Sequence, residues 1–253
     1  MEAIIDALAE QHAELRSLIE RCTEADWSRP TPCDGWDVGD VLLHLVQTDE
    51  LAVTSARGDL DEFRDGFLGN RDERSLTVDA AAAAQVEVER AIGGAAIAAR
   101  WERSSASLLA EARAGDPHRR VTWINGQLSL QTLVATRLSE SWIHTGDIAA
   151  AMGIELAPTD RLRHVTRLAW RTLPYAFAEA GLALSGPVAL DLVGPDGDRW
   201  QFTPEAPPTT TIRGSASEFC AVAARRVTPA QTSLVGEGPD ADTVLELVRT
   251  YAL

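Results

Sequence analysis

In Glu140-Ser-Trp-Ile-His144-Thr-Gly-Asp147, a carboxylate, an imidazole and a second carboxylate follow at i, i+4 and i+7. On a helix that spacing puts all three on one stripe. Glu140 and His144 are both ligand types for first-row divalent metals, and an i,i+4 pair with Cβ atoms roughly 6 Å apart can converge on one ion. A third donor must come from elsewhere in the chain, and His44 is the natural one. It stands alone among apolar residues in Val41-Leu-Leu-His-Leu-Val46, where an imidazole buried without a partner is unfavourable. Two imidazoles and one carboxylate suit zinc or a similar ion and leave positions open for water or substrate, so such a site would be catalytic rather than purely structural. The spacing equally allows a solvated Glu/His pair and a hydrogen-bonded core histidine. Asp147 reads as a carboxylate that orients a ligand imidazole, or as a partner of Arg137 or another arginine. Gly146 beside it would ease close approach of a neighbouring helix.

Other residues that could do chemistry are less well placed. Cys33 follows Pro32 with no paired base evident in the sequence, and reads as a loop or partly buried thiol rather than a nucleophile. His12 and His164 lie on glutamate- or arginine-rich faces and His118 in a turn, which predicts solvated side chains. No Gly-x-Ser-x-Gly elbow occurs, and Gly236-Glu-Gly238 lacks the Lys-Ser/Thr of a phosphate loop.

The elements that must carry these residues follow from periodicity. Ile4, Leu8, Leu15, Leu18 and Ile19 predict a first amphipathic helix over 3–22. Asp37 and Asp40 form a capping pair before a second, which contains His44. Residues 57–78 read as a long connection. An alanine-rich helix is expected from Val78 to about Ala114, with a kink or break at Gly93-Gly94, and a fourth from Leu128 to Met152, ended by Gly153. A further helix spans about 160–181. Beyond it the pattern becomes strand-like: Val188–Val193 and Arg199–Thr203 form a hairpin around Pro195-Asp-Gly197, followed by Thr209–Ile212, a short helix after Gly214-Ser215, Ser233–Val235 and a last helix. The fold class is α+β: a four-helix bundle domain over 1–184 followed by a small α+β domain over 185–253.

Composition narrows the function. The 253 residues carry a formal charge of −15, every basic side chain is arginine, and the pI is near 4.7. Affinity for a phosphate backbone needs clustered cations, so nucleic acid and anionic membrane surfaces are not expected partners. Three scattered cysteines and no CxxC pair fit a reducing cytoplasm. No stretch approaches a membrane span.

Taken together, Pro32-Cys-Asp-Gly-Trp36-Asp-Val-Gly-Asp-Val-Leu-Leu-His44-Leu, Glu140-Ser-Trp142-Ile-His144-Thr-Gly-Asp147-Ile-Ala-Ala-Ala-Met-Gly153 and the order of the two domains resemble the actinobacterial branch of the DinB-like metal-binding bundles, of the mycothiol-dependent maleylpyruvate isomerase type. The resemblance implies that His44, Glu140 and His144 are metal ligands, that the ion is usually zinc, and that mycothiol, a low-molecular-weight thiol, is the cosubstrate. It implies a thiol activated by the metal that isomerises or S-conjugates a small electrophilic substrate. Two other readings stand beside it: a thiol-independent metalloenzyme, hydrolase or cyclase, in small-molecule metabolism, and a non-catalytic metal- or ligand-binding protein.

Overall fold

The computed structural model describes residues 1–59, 62 and 77–250 of the chain, so most of the connection expected over 57–78 lies outside the described residues. The described residues form eight α-helices and two small sheets in two compact units, which divide between Leu156 and Ala157.

The first unit is a helical bundle built from α1 (Glu2–Ile19), α2 (Val38–Arg57), α3 (Val78–Glu89), α4 (Gly94–Ala114) and α5 (Leu130–Ala151). α2 packs on α3, α4 and α5, and α1 on α4 and α5. Its core joins Leu15 and Leu18 of α1, the run Val41, Leu42, Leu45 and Val46 of α2, Ile97 and the fully buried Trp101 of α4, and Ile148 of α5. The expected start of α2 is present as a reciprocal cap: Asp37 Oδ1 accepts from the Asp40 amide at 2.9 Å and Asp40 Oδ2 from the Asp37 amide at 3.1 Å. α5 starts two residues later than its periodicity suggests, because Arg120–Trp123 (β1) and Gly126–Ser129 (β2) form a hairpin and Ser129 then caps the helix. Gly153, at φ +67°, supplies the left-handed residue just past its end.

The alanine-rich segment breaks at Gly93-Gly94 into α3 and α4, and packing explains the break. A Cβ at Gly94 would lie 2.2 to 2.4 Å from three atoms of the Trp27 indole, so only glycine lets α4 begin against that ring. Gly146 is different: it is exposed and nothing lies within 4 Å of an added Cβ, so it does not serve the close helix approach that its sequence position suggests.

The second unit comprises α6 (Leu162–Glu179), β3 (Val188–Val193), β4 (Arg199–Phe202), β5 (Thr210–Ser215), α7 (Ala216–Ala223), β6 (Val235–Glu237) and α8 (Ala241–Leu247). The strands run in the order β4-β3-β5-β6, with β3 and β5 parallel and the outer pairs antiparallel. Leu190 lies opposite both Phe202 and Ile212, so one face of the sheet is apolar and packs beneath the helices. α6, which periodicity alone groups with the helical domain over 1–184, belongs instead with this unit. It packs on α7 and α8, and the indole of its Trp170 donates to the Val188 carbonyl of β3 at 2.8 Å.

Gly94→Ala is expected to lower stability by about 1–3 kcal/mol through overpacking against Trp27. Gly146→Ala should raise it by up to about 1 kcal/mol through helix propensity. Denaturant melts of the two variants check both signs.

Candidate metal centre

α2 and α5 face each other along the seam that carries His44 and the Glu140 stripe. Nε2 of His44 lies 3.5 Å from Glu140 Oε2, and Nε2 of His144 lies 3.6 Å from the same oxygen. The two imidazole rings meet edge-on, 5.1 Å between centroids and 79° between planes. All three donor atoms fall within 4.8 Å of one another. These separations exceed the roughly 2.7–3.2 Å of a good N–H···O hydrogen bond. They match the edges of a tetrahedron around an ion held at about 2.0–2.1 Å, which are roughly 3.4 Å long. The sequence-predicted trio is therefore brought together, and its donor atoms are of types and at separations that could hold a divalent ion. The side chains of His44, Glu140 and His144 are 11%, 18% and 10% exposed, so a fourth position could still be reached from outside.

Asp147 lies on the far side of the His144 ring, with Oδ2 2.9 Å from Nδ1. It is 2% exposed, and it meets the ring nitrogen that faces away from Glu140, the position of a carboxylate that fixes a ligand imidazole as its Nδ1–H tautomer. The arginine on this seam, Arg137, pairs with Asp49.

One participant is absent from the sequence-derived set. Cys33 Sγ lies 3.1 Å from Asp147 Oδ2 and 3.8 Å from His144 Nδ1. Its place depends on how residues 30–37 fold back. Pro30 and Asp37 bridge, Thr31 holds the Trp36 carbonyl through both its amide and its hydroxyl, and Gly35 turns the chain at φ +73°. Arg90, at the end of α3, then ties the loop to the start of α2, donating to both Asp40 oxygens and the Gly35 carbonyl. The same loop sets the Trp36 ring 5.1 Å from that of His44 and lines a cleft of about 450 Å³ that includes Cys33, Trp36 and Arg90. The one sequence signal for Cys33 is its place in the Pro32–His44 motif.

His12 also departs from expectation. It is 1% exposed rather than solvated and meets Trp101 edge-on at 5.7 Å; burial, with Arg137 and Arg16 adding repulsion, lowers its pKa to about 3.

The triad's protonation follows from its contacts. Burial disfavours charge on His144, yet its contacts with Asp147, Cys33 and Glu140 outweigh burial and hold its pKa well above the usual imidazole value. Burial would raise the Glu140 carboxyl, but the two imidazoles bring it well below the usual range. For His44 burial dominates and the pKa falls. Without metal, these directions favour the charged form of both Glu140 and His144 and the neutral form of His44.

A profile of the family described as the mycothiol maleylpyruvate isomerase N-terminal domain matches residues 8–149, more than half of the chain and all three members of the triad. The chain belongs to this family. Among relatives of this family member, the uncharacterized proteins Rv0036c and MT0041, from two strains of Mycobacterium tuberculosis, are each 28% identical over 240 residues, spanning 94% of this chain and 91% of theirs. The crystal structure of the mycothiol-dependent maleylpyruvate isomerase shares the fold, with a TM-score of 0.63 at 16% identity over 95% of each chain. A histidine-to-alanine variant of that enzyme gives 0.62 at the same identity and coverage.

Metal binding at the triad must displace the His144 Nε2 proton, since an imidazole binds metal only when that nitrogen is free. The affinity for zinc, measured by chelator competition, should therefore fall about tenfold for each pH unit of acidification below the His144 pKa. His144→Ala should abolish the roughly one ion per chain expected of the wild type. Full retention of metal in that variant would remove the triad from consideration.

Proposed function

We propose that this protein is a metal-dependent enzyme that uses a low-molecular-weight thiol, mycothiol, to isomerise or S-conjugate a small electrophilic metabolite. The observation that carries the reading is the donor triangle, His44 and His144 each about one tetrahedral edge from Glu140. Family membership supplies the thiol: the family is named for mycothiol, and the solved enzyme that shares this fold is described as mycothiol-dependent.

In this reading His44, Glu140 and His144 hold a divalent ion, with zinc favoured by the donor set. When bound, such an ion supplies an open coordination position at which a thiol loses its proton near neutral pH, together with Lewis acidity toward a substrate oxygen. The protein's own side chains do the rest. Glu140 places one negative charge between the two imidazoles, so the trio would leave a bound divalent ion with net positive charge. Asp147 accepts from Nδ1 of His144 and so keeps the Nε2 lone pair directed at the ion. Cys33, whose thiol donates to the same Asp147 oxygen, stabilises that carboxylate in its charged form. Trp36 packs against the His44 ring, 5.1 Å between centroids and tilted by 47°. A trio of two neutral imidazoles and one carboxylate, with no thiolate among them, would suit a catalytic rather than a purely structural ion.

No helix among the described residues is long and apolar enough to cross a membrane.

Titrating the cobalt-substituted protein with mycothiol tests the proposal. A thiolate-to-cobalt charge-transfer band that saturates with added thiol is expected. Unchanged spectra at saturating mycothiol, with the cobalt still bound, would instead favour the thiol-independent metalloenzyme.

A further inference from the structure

We infer that Arg137, together with Asp49 and Thr48, is a positioning clamp that sets the register of α2 against α5 and thereby the geometry of the metal triad. The inference rests on the triad reading and goes beyond it, because none of these three residues reaches the ligand atoms.

The clamp is fully buried. Arg137 is 1% exposed and Asp49 0%. Arg137 Nε donates to Asp49 Oδ1 at 3.0 Å, and Nη2 donates to the Thr48 hydroxyl at 2.8 Å. Thr48 in turn donates to the His44 carbonyl at 2.8 Å, so the guanidinium is linked through one hydroxyl to the backbone of a ligand residue. On α5, Arg137 precedes Glu140 by three positions and His144 by seven, and so lies on the same stripe. On α2, Thr48 and Asp49 follow His44 by four and five. Because the low-numbered partner on α5 meets the high-numbered partners on α2, the helices run antiparallel, and the clamp sits about one turn along the seam from the triad.

Its energetics argue for a role other than stability. A buried ion pair repays its desolvation poorly, and apolar side chains of similar volume often serve the fold as well or better. Here the repayment is incomplete: Asp49 Oδ2 has no hydrogen-bond partner among the described residues, and burial, working against Arg137, raises the Asp49 pKa to about 6. What a two-pronged guanidinium contributes that Leu or Met cannot is a directional constraint. Apolar packing between two helices tolerates small sliding motions, whereas two hydrogen bonds from one planar group to adjacent residues of the facing helix do not. Edges of 3.5 and 3.6 Å leave little room for sliding, since about 1 Å of slip would place His44 beyond reach of an ion held by Glu140 and His144.

The test uses the full chain, zinc with a chromophoric chelator, and cobalt as a spectroscopic probe. The double variant Arg137→Met/Asp49→Leu removes both charges together, so it leaves no uncompensated buried ion and should fold with wild-type helicity. Its zinc affinity should nonetheless fall at least about tenfold, as for loss of groups that orient metal ligands, and its cobalt d–d bands should shift or weaken as the tetrahedral geometry loosens. Thr48→Val, nearly isosteric, keeps the ion pair but cuts the link to His44 and should weaken zinc severalfold. If the double variant folds with zinc affinity within twofold of wild type and an unchanged cobalt spectrum, the clamp is overturned and the pair is merely structural. If the double variant does not fold, unchanged zinc binding by Thr48→Val overturns it. Wild-type protein that binds neither metal would remove the triad itself, a failure distinct from that of the clamp.

Discussion

Everything at this site depends on one seam, where two helices far apart in the chain bring the two imidazoles each within a few tenths of an ångström of a tetrahedral edge from Glu140. Hydrophobic burial brings α2 and α5 together, through Leu42, Leu45 and Val46 on one side and Ile148 and Ala149 on the other. Burial is non-directional, however, and specifies contact rather than register. Register comes from polar groups placed inside the apolar seam, above all Arg137 reaching across to Asp49 and Thr48. The cost of desolvating those groups is carried by the large surrounding core, which includes fully buried Trp101 and a nearly continuous apolar face of α2.

Around the seam the contacts are layered so that each orients the next inward. Arg90 fastens the loop that carries Cys33 and Trp36; Cys33 donates to Asp147; Asp147 fixes the His144 ring; His144 faces Glu140. Such an arrangement places a titrating group, His144, between carboxylates on both of its nitrogens, which raises its pKa and makes metal and proton alternatives at Nε2. The absence of thiolates from the inner trio matters for function. Under the proposed function, sulfur would then be left to an incoming thiol, whereas structural zinc sites are closed by their protein ligands.

That Glu140, His144 and His44 could converge was legible in the sequence because the signals are local. Glu140 and His144 share a helical stripe at i,i+4, and His44 is the one polar residue in an apolar run, so both helix type and facing direction follow from periodicity. The caps at Asp37 and Gly153 were legible for the same reason. What was not legible depends on tertiary contact. Cys33 reaches Asp147 only because Gly35 and Arg90 fold its loop inward, and nothing in a residue's neighbours announces that. His12 sits among charged neighbours that suggest a surface, yet Trp101 from a distant helix covers it. The ion pair of Arg137 and Asp49 has no sequence pattern at all. The domain boundary moved for a similar reason: α6 is amphipathic like the bundle helices, and only its indole bond to β3 and its packing on α7 and α8 assign it to the second unit.

X-ray absorption at the zinc edge of the loaded, thiol-free protein reads the ligand set of the ion itself. Nitrogen and oxygen scatterers alone are expected at about 2.0–2.1 Å, with the outer-shell signature of two imidazoles, and a sulfur scatterer at about 2.3 Å is expected only when mycothiol is added. Sulfur in the first shell before any thiol is added would mean that Cys33 is a ligand, and would contradict the His44, Glu140 and His144 assignment.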